Sequence, residues 1–581
     1  MAEKSSFNQR ARAIFATIVV GFALVLVRLF YWQIIQAESS QTVVELQSTQ
    51  KVNIRGRRGR IYADQGELLV GNQSAFDVYL NKRELEVEVE ELISILVDTY
   101  QEYQGSIAKS DTDQFAASYF FESVEEFDQQ LQKVVSRNSN WIKILPEIPL
   151  EFKEKVTQLK IVGLHSFETE ARFYPEASMA AHLTGFVGKT DEGNNIGYFG
   201  IEGALEKELQ SKSKEIIYRT DAKGISFSDQ QLDYSNLDGR DITTTIKREI
   251  QFIAEAALSK GVARSQSTSG EIVIIEPKTG AILAVATWPH YSQINFRQFN
   301  TQDFKNPTLA NLYEPGSTFK VLTLATGIDL GLISPETECT KCAGPRVIAG
   351  HTINTWNKEF NPNITMKEAL RKSDNTAMVF VSEQIGAERF MNYIRQFGIG
   401  EPLNIDLQED VKTPLPSRVG PVELATISFG QGISTNSMQM VRAISAIANN
   451  GVIMKPYIVS SVYDPQTHEI INYKPQELRR VISADTAKIM TQMMIHSASR
   501  YASWVNQSYQ VAGKSGTSQI PSESGGYRDW GTIASYVGFA PADEPKFVML
   551  VKLTEPRIDP WGETTAVPIW YDVAEKILLR L

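Results

Sequence analysis

Apolar and polar positions follow three different patterns along this chain of 581 residues. Residues 13–35 form one nearly uninterrupted apolar run. Residues 36–238 mix acidic, helix-compatible stretches with loops. From residue 239 onward, β-branched apolar runs bounded by turn residues lie at both ends of a mainly helical middle. We therefore predict a short tail over 1–12, an anchor over 13–35, a first domain over 36–238 and a larger domain over 239–581.

The apolar run at 13–35 is about as long as a helix that crosses a bilayer. Its one charge, Arg28, lies near the far end, where the side chain can snorkel to the interface. The basic residues Lys4, Arg10 and Arg12 precede the run, so the positive-inside rule predicts a cytoplasmic N-terminus and an exported remainder. The alternative is a cleaved signal peptide, but the run is long and lacks a convincing A-x-A cleavage site. We favour a single uncleaved transmembrane anchor.

The region after residue 239 predicts an α+β domain. Gly270–Ile275 and Ala281–Thr287 are apolar runs separated by a Pro-Lys-Thr-Gly turn, which predicts a β-hairpin. Helical patterns dominate residues 317–450. Further strand patterns lie near the C-terminus, at 508–520, 532–540 and 546–554. Strands at both ends of a helical middle imply one sheet assembled from distant segments.

Composition narrows the classes of function. The chain carries 58 Lys and Arg residues against 68 Asp and Glu residues, a net charge of −10. Nucleic-acid binding needs a concentrated basic face, and this chain has no long basic block, so we expect no nucleic-acid partner. Ordinary apolar content predicts globular domains with a sizeable core.

The two cysteines, Cys339 and Cys342, form a lone C-x-x-C. Zinc would need two further ligands, and only His351 is near in sequence. A redox pair of the thioredoxin kind would need a β-α-β context that is missing here. In an exported domain, a local disulfide that pins a loop is the better prediction. We predict neither a metal nor a cofactor.

An S-x-x-K motif at Ser317 and Lys320 is the first pattern that carries chemistry. A Pro-Gly pair precedes it and an apolar helix pattern follows. Ser317 is therefore predicted at a helix N-terminus, where backbone N–H groups favour developing negative charge. Lys320 lies on the same helix face, and burial would lower its pKa so that a neutral amine can act as general base. Alone the motif is weak, since Ser211 and Lys214 also match it.

Two later motifs strengthen the interpretation by their order and context. S-D-N at Ser373–Asn375 lies between helical stretches, and K-S-G-T at Lys514–Thr517 lies on a predicted strand. S-x-x-K, S-D-N and K-T-G together are typical of penicillin-binding proteins and class A β-lactamases. Lys278–Gly280 also matches the last motif. However, only Ser317–Lys320, Ser373–Asn375 and Lys514–Thr517 follow one another in the expected order and lie in helix, loop and strand contexts respectively. Structural alternatives are a helix cap at Ser373 and a strand bulge at Gly516.

The chain resembles the class B penicillin-binding proteins of the FtsI type, the monofunctional D,D-transpeptidases of septal peptidoglycan synthesis. Tyr313–Lys320 matches the family's nucleophile motif nearly letter for letter. Further matching segments run through the chain: Arg58–Ile61, Arg172–Pro175, Gly200–Glu202, Phe429–Gly432, Val537–Pro541 and Ala566–Pro568. The departures are Ala63–Gly66 where the family usually has Asp-Arg-Asn-Gly, Ser515 in place of the commoner Thr, and the C-x-x-C.

The resemblance implies a penicillin-binding transpeptidase fold, similar to serine β-lactamases, on an elongated pedestal over 36–238. Ser317 would attack the penultimate D-Ala carbonyl of a stem peptide and Lys320 would take its proton. Ser373 would relay a proton towards the leaving amine. The N–H groups of Ser317 and Thr517 would form the oxyanion hole. The substrate-binding residues would be Asn375, Lys514, Ser515, Gly516 and Thr517.

The implied partners are peptidoglycan stem peptides, β-lactam antibiotics, the membrane, divisome proteins and a SEDS-type glycosyltransferase of the FtsW/RodA kind. The implied location is the bacterial plasma membrane, crossed once, with the catalytic domain exported. Three alternatives stay open: an elongation-type transpeptidase, a D,D-carboxypeptidase or β-lactamase that uses water, and a scaffold or β-lactam sensor that only binds. The anchor and pedestal favour a wall synthase, because a secreted hydrolase needs neither.

Overall fold

The computed structural model describes residues 2–36, 49–107, 123–190, 195–219, 237–410, 412–504, 509–522 and 525–580. The chain divides into two units. The first comprises Met1–Gly56 and Ser211–Asp238, and the second comprises Arg57–Gln210 and Gly239–Leu581.

The first unit begins with the apolar helix that the sequence predicts. Helix α1 spans Ala2–Phe30 and continues into a π-helical turn over Tyr31–Ile35. The apolar part, Gln9–Ile35, is long enough to cross a membrane, and none of its most apolar stretch is buried within the described chain. The guanidinium carbon of Arg28 lies 5.7 Å from the ring centroid of Trp32. The one charge in the run therefore has the aromatic neighbour expected of a residue at the interface.

Nine strands lie in the described chain between this helix and residue 244. They are β1 (Thr49–Arg55), β2 (Ile61–Tyr62), β3 (Leu68–Asn81), β4 (Trp141–Ile148), β5 (Leu164–Phe173), β6 (Phe186–Lys189), β7 (Asn195–Tyr198), β8 (Ser213–Arg219) and β9 (Asp241–Thr244). The helices are α2 (Val89–Ile107), α3 (Val124–Val135), α4 (Leu150–Gln158), α5 (Ala181–Thr184), α6 (Gly200–Ala204) and α7 (Glu206–Leu209). In the first unit β1 pairs antiparallel with β8. In the second, β3 pairs with both β4 and β5, partners that local sequence patterns did not reveal.

Three of the N-terminal segments that carry the resemblance meet in a cluster of buried charges. Arg58 donates to the carboxylates of Glu202 and Glu206, and Arg172 Nε donates to Glu202 Oε1 at 2.7 Å. Arg172 Nη1 also donates to Asn72 at 2.8 Å. Because Glu202 is fully buried, its charge is tolerated only while both arginines remain paired with it. The cluster thus ties together segments that are far apart in the sequence.

The described chain after residue 244 contributes strands from both of its ends. They are β10 (Ser269–Ile275), β11 (Ile282–Trp288), β12 (Arg346–Ile348), β13 (His351–Ile353), β14 (Val452–Met454), β15 (Val459–Asp464), β16 (Glu469–Asn472), β17 (Glu477–Arg480), β18 (Ala512–Pro521), β19 (Tyr527–Ala540) and β20 (Phe547–Thr554). Its helices are α8 (Arg248–Ser265), α9 (Pro307–Ala310), α10 (Lys320–Asp329), α11 (Met366–Lys372), α12 (Asn375–Ile385), α13 (Ala387–Gln396), α14 (Pro421–Ile427), α15 (Ser437–Ala448), α16 (Ala484–Ala498) and α17 (Ala566–Leu578). Short 3-10 turns lie at Phe296–Gln298, Gly316–Phe319 and Ser499–Trp504.

The central sheet has the antiparallel order β11-β10-β20-β19-β18. The predicted hairpin β10–β11 is confirmed, and it joins the C-terminal strands through β20. The prediction of one α+β sheet built from distant segments is therefore confirmed. Strands β15 and β9 belong to a second sheet, in which β9 also pairs in parallel with β2.

The strands of the central sheet are apolar on both sides. Helices cover both faces of the sheet and so keep these apolar side chains out of water. In β10, Ile272 and Ile274 pack with residues of α8 and α17, whereas Val273 and Ile275 belong to the core that contains α10 and α15. This alternation is what a two-residue period dictates for a strand buried on both faces. The sheet edge formed by β18 is left beside the turn at Gly316–Phe319. That edge is where the candidate site is built.

Candidate active site

Ser317 lies in the 3-10 turn that leads directly into α10. The turn is held by backbone contacts, since the N–H of Gly316 donates to the carbonyl of Gly430 at 3.0 Å. A Cβ atom on Gly430 would lie 2.2 Å from the carbonyl oxygen of Gly316, so only glycine allows this approach. Ser317 is half-buried, whereas every residue of α10 up to Ile328 is buried. The predicted helix start at the serine is therefore present as a tight turn followed by a core helix.

Lys320 is the first residue of α10 and is fully buried. Its Nζ atom donates to the carbonyl oxygen of Ser373 at 2.7 Å, to Ser373 Oγ at 3.2 Å and to Asn375 Oδ1 at 2.6 Å. Burial lowers the pKa of Lys320 to about 7, although the nearby Asp374 carboxylate partly opposes this shift. A large fraction of this amine is therefore neutral near pH 7 and available to accept a proton.

The S-D-N motif connects α11 to α12. Ser373 ends α11 with a φ of 58°, in the left-handed region. Asp374 caps α12, its Oδ1 accepting from the N–H of Ala377 at 3.1 Å and from the hydroxyl of Thr376 at 2.6 Å. Ser373 is thus the C-terminal cap of α11, as the structural alternative had it, and Asp374 is the N-terminal cap of α12. Asn375 is oriented by donating from Nδ2 to the carbonyl of Asn354 at 2.9 Å.

The K-S-G-T motif lies on the edge strand β18, in regular antiparallel register with β19. Gly516 pairs with Ser535 without a bulge, so the bulge alternative is wrong. Lys514 is almost fully buried and donates from Nζ to the carbonyl of Ser515 at 2.7 Å. Burial lowers the pKa of Lys514 well below its usual value, and the charges of Lys320 and Arg500 lower it further.

A cavity of about 260 Å³ joins these motifs. Its lining includes Ser317, Ser373, Ser515, Gly516 and Thr517. A second cavity of about 720 Å³ shares Ser317 and Thr517 with the first, and Asn375 lines it as well. These two spaces, which share Ser317 and Thr517 in their lining, are together called the groove.

Lys320 and Lys514 lie behind the wall of this groove, among buried residues. The structure therefore brings all eight predicted site residues together, six at the surface of the groove and two beneath it. Their individual roles remain predictions.

Several groove residues had no signal in the sequence. Trp356 and Trp561 are 54 % and 42 % exposed, and their ring centroids lie 5.3 Å apart at the groove. Arg500 and Glu563 also line the smaller cavity, where Arg500 Nη2 lies 2.9 Å from Glu563 Oε2. Each of these four residues lies in a loop or at a helix end, outside the three sequence motifs. No sequence signal marks them, because the exposure and the contact of the two tryptophans arise only in the folded chain.

Cys339 and Cys342 form a disulfide, and both are fully buried. The predicted local disulfide is therefore confirmed, and the alternative of zinc is wrong because both sulfurs are used in the bond. The bridge closes a loop after α10, just before the hairpin β12–β13. This hairpin interrupts the region that sequence patterns predicted as helical, and residues 351–356 after its turn line the larger cavity.

Two family models match this chain. The first is the penicillin binding protein transpeptidase domain, over residues 270–575. The second is the penicillin-binding protein dimerisation domain, over residues 53–244. Both matches cover regions with the fold described above.

Individual relatives extend over nearly the whole chain. Stage V sporulation protein D of Bacillus subtilis (strain 168) is 29% identical, over 97% of this chain and 85% of that protein. The peptidoglycan D,D-transpeptidase FtsI of Escherichia coli (strain K12) is 25% identical, over 76% of this chain and 73% of that protein. The crystal structure of penicillin binding protein 2X from Streptococcus thermophilus has a TM-score of 0.70 at 22% identity, over 91% of this chain and 80% of that chain. At this identity, the last likeness shows the fold alone.

Proposed function

The chain belongs to the penicillin-binding protein transpeptidases, the serine-type D-Ala-D-Ala transpeptidases of peptidoglycan synthesis, and from this premise we propose that it cross-links stem peptides during septal wall synthesis. One observation carries the catalytic part of the proposal. The amine of Lys320, whose pKa burial lowers to about 7, lies behind the groove that contains Ser317 and Ser373. The septal part is supported by the relative named FtsI.

Acylation begins when the Ser317 hydroxyl attacks the penultimate D-Ala carbonyl of a stem peptide. Neutral Lys320 accepts the hydroxyl proton, and the N–H groups of Ser317 and Thr517 hold the developing oxyanion. Such a donor is worth about 3–4 kcal/mol in the transition state. Ser373, which contacts the same amine, passes a proton to the leaving D-Ala nitrogen. The products are an acyl-enzyme on Ser317 and free D-Ala.

The substrate's terminal carboxylate lies against β18. Ser515 and Thr517 line the smaller cavity, where their hydroxyls can donate to the carboxylate, and Lys514 holds the backbone carbonyl of Ser515. Asn375 lies at the larger cavity and can bind the peptide's amide. An amine from a neighbouring stem peptide then attacks the acyl-enzyme, which releases the cross-link and regenerates Ser317. β-Lactam antibiotics acylate the same hydroxyl.

In our proposal the anchor holds this chemistry at a membrane. In the proposed arrangement the N-terminus is cytoplasmic, α1 crosses the plasma membrane once and the catalytic domain is exported. The apolar span Gln9–Ile35 supports the single crossing. A SEDS-type glycosyltransferase and divisome proteins are the proposed partners, contacted through the anchor and the pedestal.

The test uses the full-length chain purified in detergent and labelled with fluorescent penicillin. Wild-type protein should form a long-lived adduct on Ser317, and Ser317→Ala should form none. Ser211→Ala removes the decoy serine of the other S-x-x-K match and should label like wild type. With a stem pentapeptide and an amine acceptor, the wild type should release D-Ala and form cross-linked product. Rapid penicillin hydrolysis, or release of D-Ala without cross-linking, would identify a hydrolase instead.

The septal assignment has its own test. A fluorescent fusion should concentrate at the division site of growing cells. Uniform signal along the lateral wall would contradict the septal assignment and indicate elongation.

A further inference from the structure

We propose that Tyr501 is a positioning residue that aims the Ser515 hydroxyl at the substrate's terminal carboxylate. The inference rests on the proposed function, because it assumes that Ser515 binds that carboxylate. Tyr501 has no place in any of the three sequence motifs. It follows α16, in the 3-10 turn Ser499–Trp504, and its hydroxyl contacts Ser515 on β18.

The contact that carries the proposal is a single hydrogen bond. The Tyr501 hydroxyl donates to Ser515 Oγ at 2.9 Å. The tyrosine is 4 % exposed, and its ring packs edge-on against Tyr536 with centroids 5.8 Å apart. Burial raises the pKa of Tyr501, so its hydroxyl keeps its proton at neutral pH and acts as a donor.

A serine hydroxyl has one proton to donate and two lone pairs that accept. When Ser515 Oγ accepts from Tyr501, one lone pair is used and its own proton is free for a group in the cavity. Ser515 lines that cavity beside Ser317. A carboxylate there would receive a charge-assisted hydrogen bond, which is stronger than one to a neutral oxygen. The tyrosine therefore favours ligands that carry the negative charge.

The surroundings of Tyr501 keep its hydroxyl directed at Ser515. Glu563 is the competing acceptor, and its carboxylate raises the pKa of Tyr501 further. Arg500 Nη2 contacts both Glu563 oxygens, at 3.2 and 2.9 Å, and its guanidinium carbon lies 5.9 Å from the Tyr501 ring centroid. The arginine charge neutralises this carboxylate and so weakens its competition for the tyrosine proton, which is donated to Ser515 in the structure. Lys514 holds the same serine by its carbonyl oxygen at 2.7 Å, so backbone and hydroxyl are both fixed.

The experiment compares two probes on the full-length protein: benzylpenicillin, which carries a carboxylate, and its neutral methyl ester. The readout is the second-order rate constant for acylation of Ser317. Tyr501→Phe keeps the ring and removes only the hydroxyl. We expect it to slow acylation by benzylpenicillin about tenfold while the slower reaction with the ester stays unchanged. Ser515→Ala should show the same loss of preference, and the double variant should equal Ser515→Ala alone.

Tyr571→Phe is the matched control, because Tyr571 is a buried tyrosine whose hydroxyl lies 3.3 Å from that of Tyr536 and is not in contact with Ser515 in the described structure. It should leave both rate constants unchanged. Equal slowing of both probes by Tyr501→Phe, or a loss that adds to that of Ser515→Ala, would overturn the positioning role. So would Tyr501→Phe behaving as wild type while Ser515→Ala loses the preference. If Ser515→Ala still prefers benzylpenicillin over the ester, Ser515 does not bind the carboxylate and the positioning role is wrong. If the wild-type protein is not acylated at Ser317, the proposed function fails as well.

Discussion

The amine nitrogen of Lys320 lies 2.7 Å from the backbone carbonyl oxygen of Ser373, a residue whose φ of 58° is in the left-handed region. The contact joins the start of α10 to the loop between α11 and α12. It places Lys320, the proposed base, and Ser373 on one hydrogen-bonded path, although 53 positions separate them in sequence. The strained backbone at Ser373 is the geometry that turns both its carbonyl and its hydroxyl towards the lysine.

Acylation of Ser317 should depend on pH through the ionisation of Lys320. Burial lowers the pKa of that amine to about 7. Below this pH the amine is protonated and cannot accept the serine proton, and above it the neutral base predominates. The acylation rate with fluorescent penicillin should therefore rise with pH and be half-maximal near pH 7. A rate that falls as pH increases through 7 would contradict Lys320 as the base.

Asp374→Asn should move this midpoint to lower pH. The Asp374 carboxylate raises the pKa of Lys320 against the effect of burial, so removing its charge should lower that pKa further. Asparagine keeps a side-chain oxygen that can still accept from the N–H of Ala377, so α12 retains its cap. The measurement is the same pH series on the variant. An upward shift would mean that the carboxylate acts on some other group.

Substitutions at Ser373 should separate chemistry from backbone strain. Ser373→Ala and Ser373→Gly both lack the hydroxyl, so each should slow D-Ala release about 100-fold or more. Glycine adopts the left-handed region without the Cβ penalty, so Ser373→Gly should unfold with a free energy about 1 kcal/mol higher than Ser373→Ala. Chemical unfolding and a D-Ala release assay measure the two effects. Full activity in either variant would remove Ser373 from the mechanism.

Gly562→Ala should damage the site through the backbone of β18. A Cβ atom at this position would lie 2.3 Å from the carbonyl oxygen of Gly516, and the N–H of Gly562 donates to Thr517 Oγ1 at 3.1 Å. We expect a loss of about 2 kcal/mol in the free energy of unfolding. Acylation should slow at least about tenfold because Thr517 loses its fixed position.

Gly105→Ala is the control for that substitution. Gly105 lies in α2, where a Cβ atom meets nothing within 4 Å. Alanine favours a helix over glycine by about 1 kcal/mol, so this variant should be as stable as wild type or more so, with unchanged acylation. A Gly562→Ala protein that unfolds and reacts like wild type would show that the segment after β20 does not support β18.

The sequence by itself determined the features that depend on neighbouring residues. The apolar run at 13–35 predicts a membrane-length helix, because crossing a bilayer needs only length and hydrophobicity. Alternating apolar runs predict β10 and β11, and the turn between them predicts their pairing. The order of S-x-x-K, S-D-N and K-S-G-T indicates the family and predicts that Ser317 is the nucleophile.

Only the tertiary structure decided how those features act together. The pKa of Lys320 depends on the helices and strands that bury it, and its partners Ser373 and Asn375 are brought to it by packing. The pairing of β3 with β4 and β5 joins segments whose own patterns are weak, so local periodicity did not predict it. Tyr501 contacts Ser515 across 14 positions, from a turn that carries no motif. Such contacts depend on where distant segments meet in the folded core, and no local pattern of residues specifies that.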